Sequence, residues 1–215
     1  MEINPRIVFE RLFGGTGTDS VNLSALALVD VTLGAAGFSS IEEFFGNITN
    51  SILRGENVTN TWLIDSVGGG NVNDAVTFSG FTTLFGGTGQ DTFNINTGAS
   101  IANINGGDGG DTFNISGAVG TIHGDFLNST TGGNDVFRVY ASGSVTGSLY
   151  GDTGNDTFTV DLGGDVTTID GGDNTATGDR VNLGAGAQVN IGTGITLGSI
   201  NISNIEGVDS TNGSL

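Results

Sequence analysis

Gly106-Gly107-Asp108-Gly109-Gly110-Asp111-Thr112-Phe113-Asn114-Ile115 is the stretch on which the fold turns. Its first half is a glycine and aspartate loop, where tight turning asks for the left-handed backbone that glycine adopts without penalty. Its second half alternates, Phe113 and Ile115 on one side and Thr112 and Asn114 on the other, which is the period of a half-buried β-strand. Moving outward, the string recurs from Phe85 to Ile95, from Tyr150 to Val160 and, shortened, as Gly132-Gly133-Asn134-Asp135-Val136-Phe137-Arg138-Val139. Fainter copies stand at Gly14 to Val21, Gly68 to Val76 and Gly171 to Val181. A spacing of roughly 20 residues is that of one supersecondary unit stacked on the next.

Between the loops lies a second apolar pair: Ile101 with Ile104, Val119 with Ile122, Val145 with Leu149, Val166 with Ile169. Each repeat therefore predicts two strands and two turns, too little to close a core alone but enough when repeats stack in parallel. The expected fold is all-β, a right-handed parallel β-solenoid with two short strands per coil. Residues 1–13 read as an N-terminal lead-in or cap and 14–215 as one domain. Within it, 14–66 are divergent coils, 67–184 the glycine-rich coils, and 185–215 C-terminal coils repeating the pattern of 20–53. Asp19-Ser20-Val21-Asn22-Leu23 returns as Asp179-Arg180-Val181-Asn182-Leu183, and Ser40-Ile41-Glu42 as Asn204-Ile205-Glu206. The end of the chain replays its beginning, as in a tandem array.

Composition narrows the chemistry. The formal charge is −18 and all five cationic residues are arginine, which argues against nucleic acid, whose phosphates need lysine and arginine to displace counterions. A hydrophobic content of 36% with 13 phenylalanines is more core than a disordered chain carries. There is no cysteine and one histidine, leaving hard, oxygen-ligated cations as the metals to consider. Neither a signal-like start nor a stretch apolar and long enough to cross a bilayer is visible, so membrane insertion is not expected.

The pattern Gly-Gly-x-Gly-x-Asp-x-Phe-x at 86–94, 106–114 and 151–159, with Asp152 for the second glycine in the last, resembles the nonapeptide of the RTX (repeats-in-toxin) family. That resemblance implies calcium held by the loops. Alternate nonapeptides have lost the loop, at Asn96 to Ser100 and Ser116 to Ala118, so calcium is expected along one edge only. Asn60-Thr61-Trp62, Phe78-Ser79-Gly80-Phe81 and Ile202-Ser203-Asn204-Ile205-Glu206 are similar to repeat modules of giant bacterial surface proteins of filamentous-haemagglutinin or large-adhesin type. This implies an extracellular or cell-surface segment of a longer secreted protein, with surface glycans or neighbouring copies end to end as partners.

Stacking brings Asp91, Asp111, Asp135 and Asp156 to one edge, where carboxylates one strand apart repel by about 3 kcal/mol at an effective dielectric near 20. Calcium relieves this by taking six to eight carboxylate and carbonyl oxygens. The candidate ligands are Gly86, Thr88, Asp91, Gly106, Asp108, Asp111, Asp135, Gly151, Thr153 and Asp156. The alternative is that each aspartate closes its own turn by accepting backbone N–H groups. Calcium is expected between loops 86–91 and 106–111 and between 106–111 and 151–156, while the longer loops 124–135 and 171–179 are expected to break the register.

An enzyme of the parallel β-helix lyase or epimerase kind is the competing class, but His123, Arg138 and Tyr140 are its only candidate groups, and no residue is assigned a catalytic role. A self-assembling filament or surface-layer subunit is a third. The expectation is a non-catalytic, calcium-stabilised module acting as stalk, fibre or adhesin surface.

Overall fold

The computed structural model describes residues 12–34, 38–127, 129–174, 178–184, 190–192, 194–197 and 200–210. Most of the expected N-terminal cap and parts of the expected C-terminal coils lie outside these residues. Among the described residues there is no helix, and the strands form sheets of ten and eleven members with two further two-stranded pairs.

From Thr83 to Leu183 the chain alternates between the two large sheets. One receives Thr83–Thr88, Ser100–Asp108, Ala118–His123, Ser144–Tyr150 and Asp165–Asp170. The other receives Thr92–Ile95, Thr112–Ile115, Val136–Val139, Thr157–Val160 and Arg180–Leu183. Every neighbouring pair in these two series is parallel. The chain is thus all-β, built on two mainly parallel sheets, each visit to a sheet adding the next strand.

The alternation read from the sequence sets the register. Phe93, Phe113, Phe137 and Phe158 are successive cross-strand partners, and their rings stack with centroids 5.3, 4.7 and 4.6 Å apart. Trp62 continues the column, 5.5 Å from Phe93, and all five side chains are fully buried. Such pairs contribute about 0.5–1.5 kcal/mol each beyond the burial of their area. In the facing series Ile101, Val119, Val145 and Val166 align, as do Ile104, Ile122, Leu149 and Ile169, and both rows join the aromatic column in one hydrophobic cluster. Val145 and Leu149 are one residue further apart than Val119 and Ile122, and the irregularity in strand pairing there absorbs the extra residue.

Two segments depart from the parallel pattern. Thr61–Ser66, Gly69–Val72 and Val76–Ser79 form an antiparallel meander inside the eleven-stranded sheet. Of Gly68-Gly69-Gly70, expected to begin a faint copy of the glycine loop, Gly68 instead helps make the first bend, at φ 62°, and Gly69 and Gly70 open the next strand. Asn73 and Asp74 make the second, at φ of 55° and 53°, a left-handed conformation that asparagine and aspartate tolerate better than other side chains. A second antiparallel meander, Asn190–Gly192, Gly194–Leu197 and Ile200–Ser203, extends the ten-stranded sheet at one edge.

Because Phe113 lies mid-column with a ring on either side, Phe113→Ala should lower the unfolding free energy by about 3–5 kcal/mol, whereas Thr112→Ser on the outer face should stay within about 1 kcal/mol. Urea denaturation followed by circular dichroism reads both; equal costs would show that the column does not bear on stability.

Candidate functional site

The loop edge is built from one aspartate per repeat. In the loops 86–91 and 106–111 the second and third glycines, Gly87 with Gly89 and Gly107 with Gly109, hold φ between 109° and 137°, which a side chain would strain. In the copy at 151–156 the second glycine is Asp152, at φ 67°. The first glycine serves another end. A Cβ on Gly86, Gly106 or Gly151 would overlap the Oδ2 of Asp91, Asp111 or Asp156 respectively, together with the first-glycine carbonyl of the next repeat. Each aspartate therefore folds back over its own loop and lies against a bare Cα.

From that position each carboxyl group reaches one repeat back. The amide of Asn60 donates to Asp91 Oδ1 at 2.6 Å, Asp91 to Asp111 at 2.7 Å, Asp111 to Asp135 at 2.6 Å, Asp135 to Asp156 at 2.7 Å, and Asp156 to Asp179 at 2.6 Å. The amide of Asp179 donates to Glu206 Oε2 at 2.7 Å. The aspartates expected on one edge do come together. Although the loops before them are longer, Asp135 and Asp179 take their places in the line, so the register is not broken there as expected. Loops 106–111 and 151–156 are not neighbours either, because the rung of Asp135 stands between them.

These carboxyl groups are interior. Asp91, Asp111, Asp135, Asp156 and Asp179 are each at most 1% exposed, and the Oδ2 of Asp91, Asp111, Asp135 and Asp156 is buried without a hydrogen-bond partner. Asn60, at the head of the ladder, shows what that position asks for. Its Nδ2, in the place of Oδ2, donates toward the carbonyls of Glu56, Val58 and Gly86 and toward Asp91 Oδ1, at 2.7–3.1 Å. An ionised Oδ2 surrounded by such acceptors is doubly disfavoured, by lost hydration and by facing oxygens, whereas a protonated one is a donor. Burial accordingly pushes Asp111 up to about 8, Asp135 to about 9 and Asp156 to about 8, with neighbouring carboxylates adding to the shift and the accepted amide opposing it; burial raises Asp91 as well.

The other candidate ligands sit around the ladder. Thr88 and Asp108 are cross-strand partners, and Asp108 Oδ1 accepts the Ser129 hydroxyl at 2.9 Å. Thr153 donates its amide and hydroxyl to Asp125 Oδ2 at 3.0 and 2.8 Å, and the Gly133 amide donates to Asp125 Oδ1 at 3.1 Å. Asp125, fully buried, and Asn60 were both missed by sequence reasoning. Asn60 lies five positions after Gly55 as Asp91 lies five after Gly86, the spacing that could have found it.

The donor set is oxygen alone and suits a hard cation. As placed, each carboxyl keeps one oxygen on an amide and leaves one facing its glycine, and among the described residues no group of three or more histidine, cysteine or acidic side chains is gathered as a metal cluster. His123 stacks on Tyr150 with centroids 4.5 Å apart, half-buried, its Nδ1 3.1 Å from Asp152. Arg138, on the other sheet, pairs with Asp161 and covers Tyr140. An open groove of about 410 Å³ lies over Phe81, Ile101 and Val119 with Ile48 and Val67 at its rim, and no titratable residue lines it. No family model, curated protein or solved structure matches the chain.

Two outcomes follow from the ladder. Asp111→Asn, which keeps the acceptor and supplies the donor that Asn60 supplies, should cost less than about 1 kcal/mol, while Asp111→Ala, which leaves the Asp91 amide unpaired, should cost about 1–3 kcal/mol. Since the folded-state pKa values lie above those of the unfolded chain, the native state holds protons the unfolded state has released. Their stabilisation is complete below about pH 4 and is lost as pH rises through 8–9, at about 1.4 kcal/mol per pH unit for each proton. In chelator, the melting temperature should fall between pH 5 and pH 9.5; a rise would mean that the carboxyls are ionised in the fold.

Proposed function

We propose that the chain is a right-handed parallel β-solenoid acting as a non-catalytic structural module, a stalk, fibre or adhesive surface, in a longer secreted or cell-surface repeat protein. The observation that carries this reading is the unbroken sequence of rungs from Asn60 to Glu206. The buried carboxyls along this edge serve to join repeat to repeat, and the aromatic column runs alongside them. Alternation between parallel strands is the connectivity of a solenoid, and crossovers between parallel strands take the right hand almost without exception. The bacterial, extracellular setting rests on the resemblance to large surface proteins. A catalytic reading is less well supported, since general acid–base work needs titratable groups converging on one cleft, whereas His123 and Arg138 stand on different sheets and the groove holds none.

Calcium along the same edge is the second reading, favoured by the row of Oδ2 atoms that no donor meets. It requires ionised carboxylates, so the two readings diverge with pH. If the ladder works by protonated carboxyls, calcium should leave the melting temperature unchanged at pH 6 and at pH 7, below the pKa values of the folded state. If it works by calcium, saturating ion should raise the melting temperature in proportion to RT ln(1 + [L]/Kd), most at high pH, and Asp111→Asn should abolish part of that gain. The solenoid itself is tested by cross-linking. Cysteines placed at Thr92 and Thr112, direct partners in a cysteine-free chain, should form a disulfide within one molecule, since strands about 4.8 Å apart fall inside the span a disulfide bridges; failure to close would sink the stacked arrangement.

A further inference from the structure

The two ends of the described chain are built alike. The Asp19 amide donates to Glu42 Oε2 at 3.0 Å, and the Asp179 amide to Glu206 Oε2 at 2.7 Å. The Asp19 carbonyl accepts the amides of Glu42 and Glu43, and the Asp179 carbonyl those of Glu206 and Gly207. Two residues before each glutamate stands a non-glycine in the left-handed region, Ser40 at φ 55° and Asn204 at φ 50°. Ser20–Asn22 pairs in parallel with Glu43–Phe45, and Arg180–Leu183 with Gly207–Ser210. A Cβ on Gly14 would overlap Asp19 Oδ2 and the Ser40 carbonyl, and one on Gly171 would overlap Asp179 Oδ2 and the Asn204 carbonyl.

One difference separates the two sites. Arg180–Leu183 has Thr157–Val160 on its other side, and Asp179 Oδ1 accepts the Asp156 amide. Ser20–Asn22 is the last strand of its sheet, and among the described residues no amide reaches the Asp19 carboxyl, whose Oδ2 is buried without a partner. Among the described residues there is thus both an edge with no strand beside it and, at the other end, the same edge with its occupant in place.

We propose that Asp19–Asn22 is a docking edge for the Asp156–Val160 segment of a preceding unit of this same sequence, so that units join end to end with the eleven-stranded sheet continuous. Counting from Asp19 to Asp179, the period is 160 residues. At the joint the Asp156 amide meets Asp19 Oδ1, Phe158 covers Val21 as it covers Val181 within the chain, and Asp19 keeps its own bond to Glu42. The proposal rests on the structural-module reading and adds the partner and its register.

The test is a tandem chain in which residues 1–178 run directly into residues 19–215, carrying Thr157→Cys in the first unit and Ser20→Cys in the second. Thr157 and Arg180 are direct partners, so Ser20, in the place of Arg180, should close a disulfide with the cysteine at 157 nearly completely on mild oxidation. The control pair of Thr157→Cys with Asn22→Cys, two residues out of register, should not. The uncross-linked tandem chain should melt in one transition. Two separate transitions, an unfolded second unit, or equal cross-linking of the control would overturn the proposal. The cross-link between positions 92 and 112 of the single chain separates the two levels: if it forms and the junction does not, the docking edge fails alone, and if neither forms, the stacked module fails with it.

Discussion

The structure depends on a carboxyl oxygen of one repeat accepting the backbone amide of the repeat before it. An amide buried at a loop corner, where no strand ladder can satisfy it, costs free energy unless it finds an acceptor. Here the acceptor is always the same atom on the same residue one level on, from Asn60 through Asp179. Because each aspartate gives its amide to one neighbour and accepts at Oδ1 the amide of the other, no rung is satisfied without its neighbours. Loop length is then free to vary, as the greater number of residues before Asp135 and Asp179 illustrates, provided the aspartate takes its place in the line.

Two kinds of glycine make this possible. Those at positive φ, such as Gly87 and Gly107, bend the loop. Those at the loop entrance, such as Gly106 and Gly124, have no side chain because an aspartate oxygen occupies that space. Substituting the second kind would push the carboxyl out of the ladder even where the backbone could accept the new residue. The same close approach excludes water from Oδ2, and exclusion of water is what raises the carboxyl pKa values.

Much of this was legible before the coordinates. Phe93, Phe113, Phe137 and Phe158 announce a shared face by their period, and the pairs from Ile101 with Ile104 to Val166 with Ile169 announce the opposite sheet, because burial on one side of a strand imprints alternation on any sequence that folds so. The placing of the aspartates on one edge followed from the same repeat. What they do there did not, because a glycine loop ending in aspartate reads alike whether the carboxyl faces an ion or an amide of the next level. The order of rungs was obscured by the length of the loop before Asp135, which reads as a break in register between loops 106–111 and 151–156. The meander at Thr61–Ser79 was missed because Gly68-Gly69-Gly70 has the composition of a repeat loop, and only the pairing partners of the following strand distinguish the two.

That meander also bears on shape. Between Glu43–Phe45 and Thr92–Ile95 the eleven-stranded sheet inserts three strands, while between Ser51–Arg54 and Ser100–Asp108 the ten-stranded sheet inserts one, Thr83–Thr88. Two extra strands add about 10 Å to one wall and not to the other, a wedge in any stack built on both sheets. Repeated once per period in a long filament, the same wedge would add up in a constant direction, giving a gentle arc or superhelix rather than a straight rod.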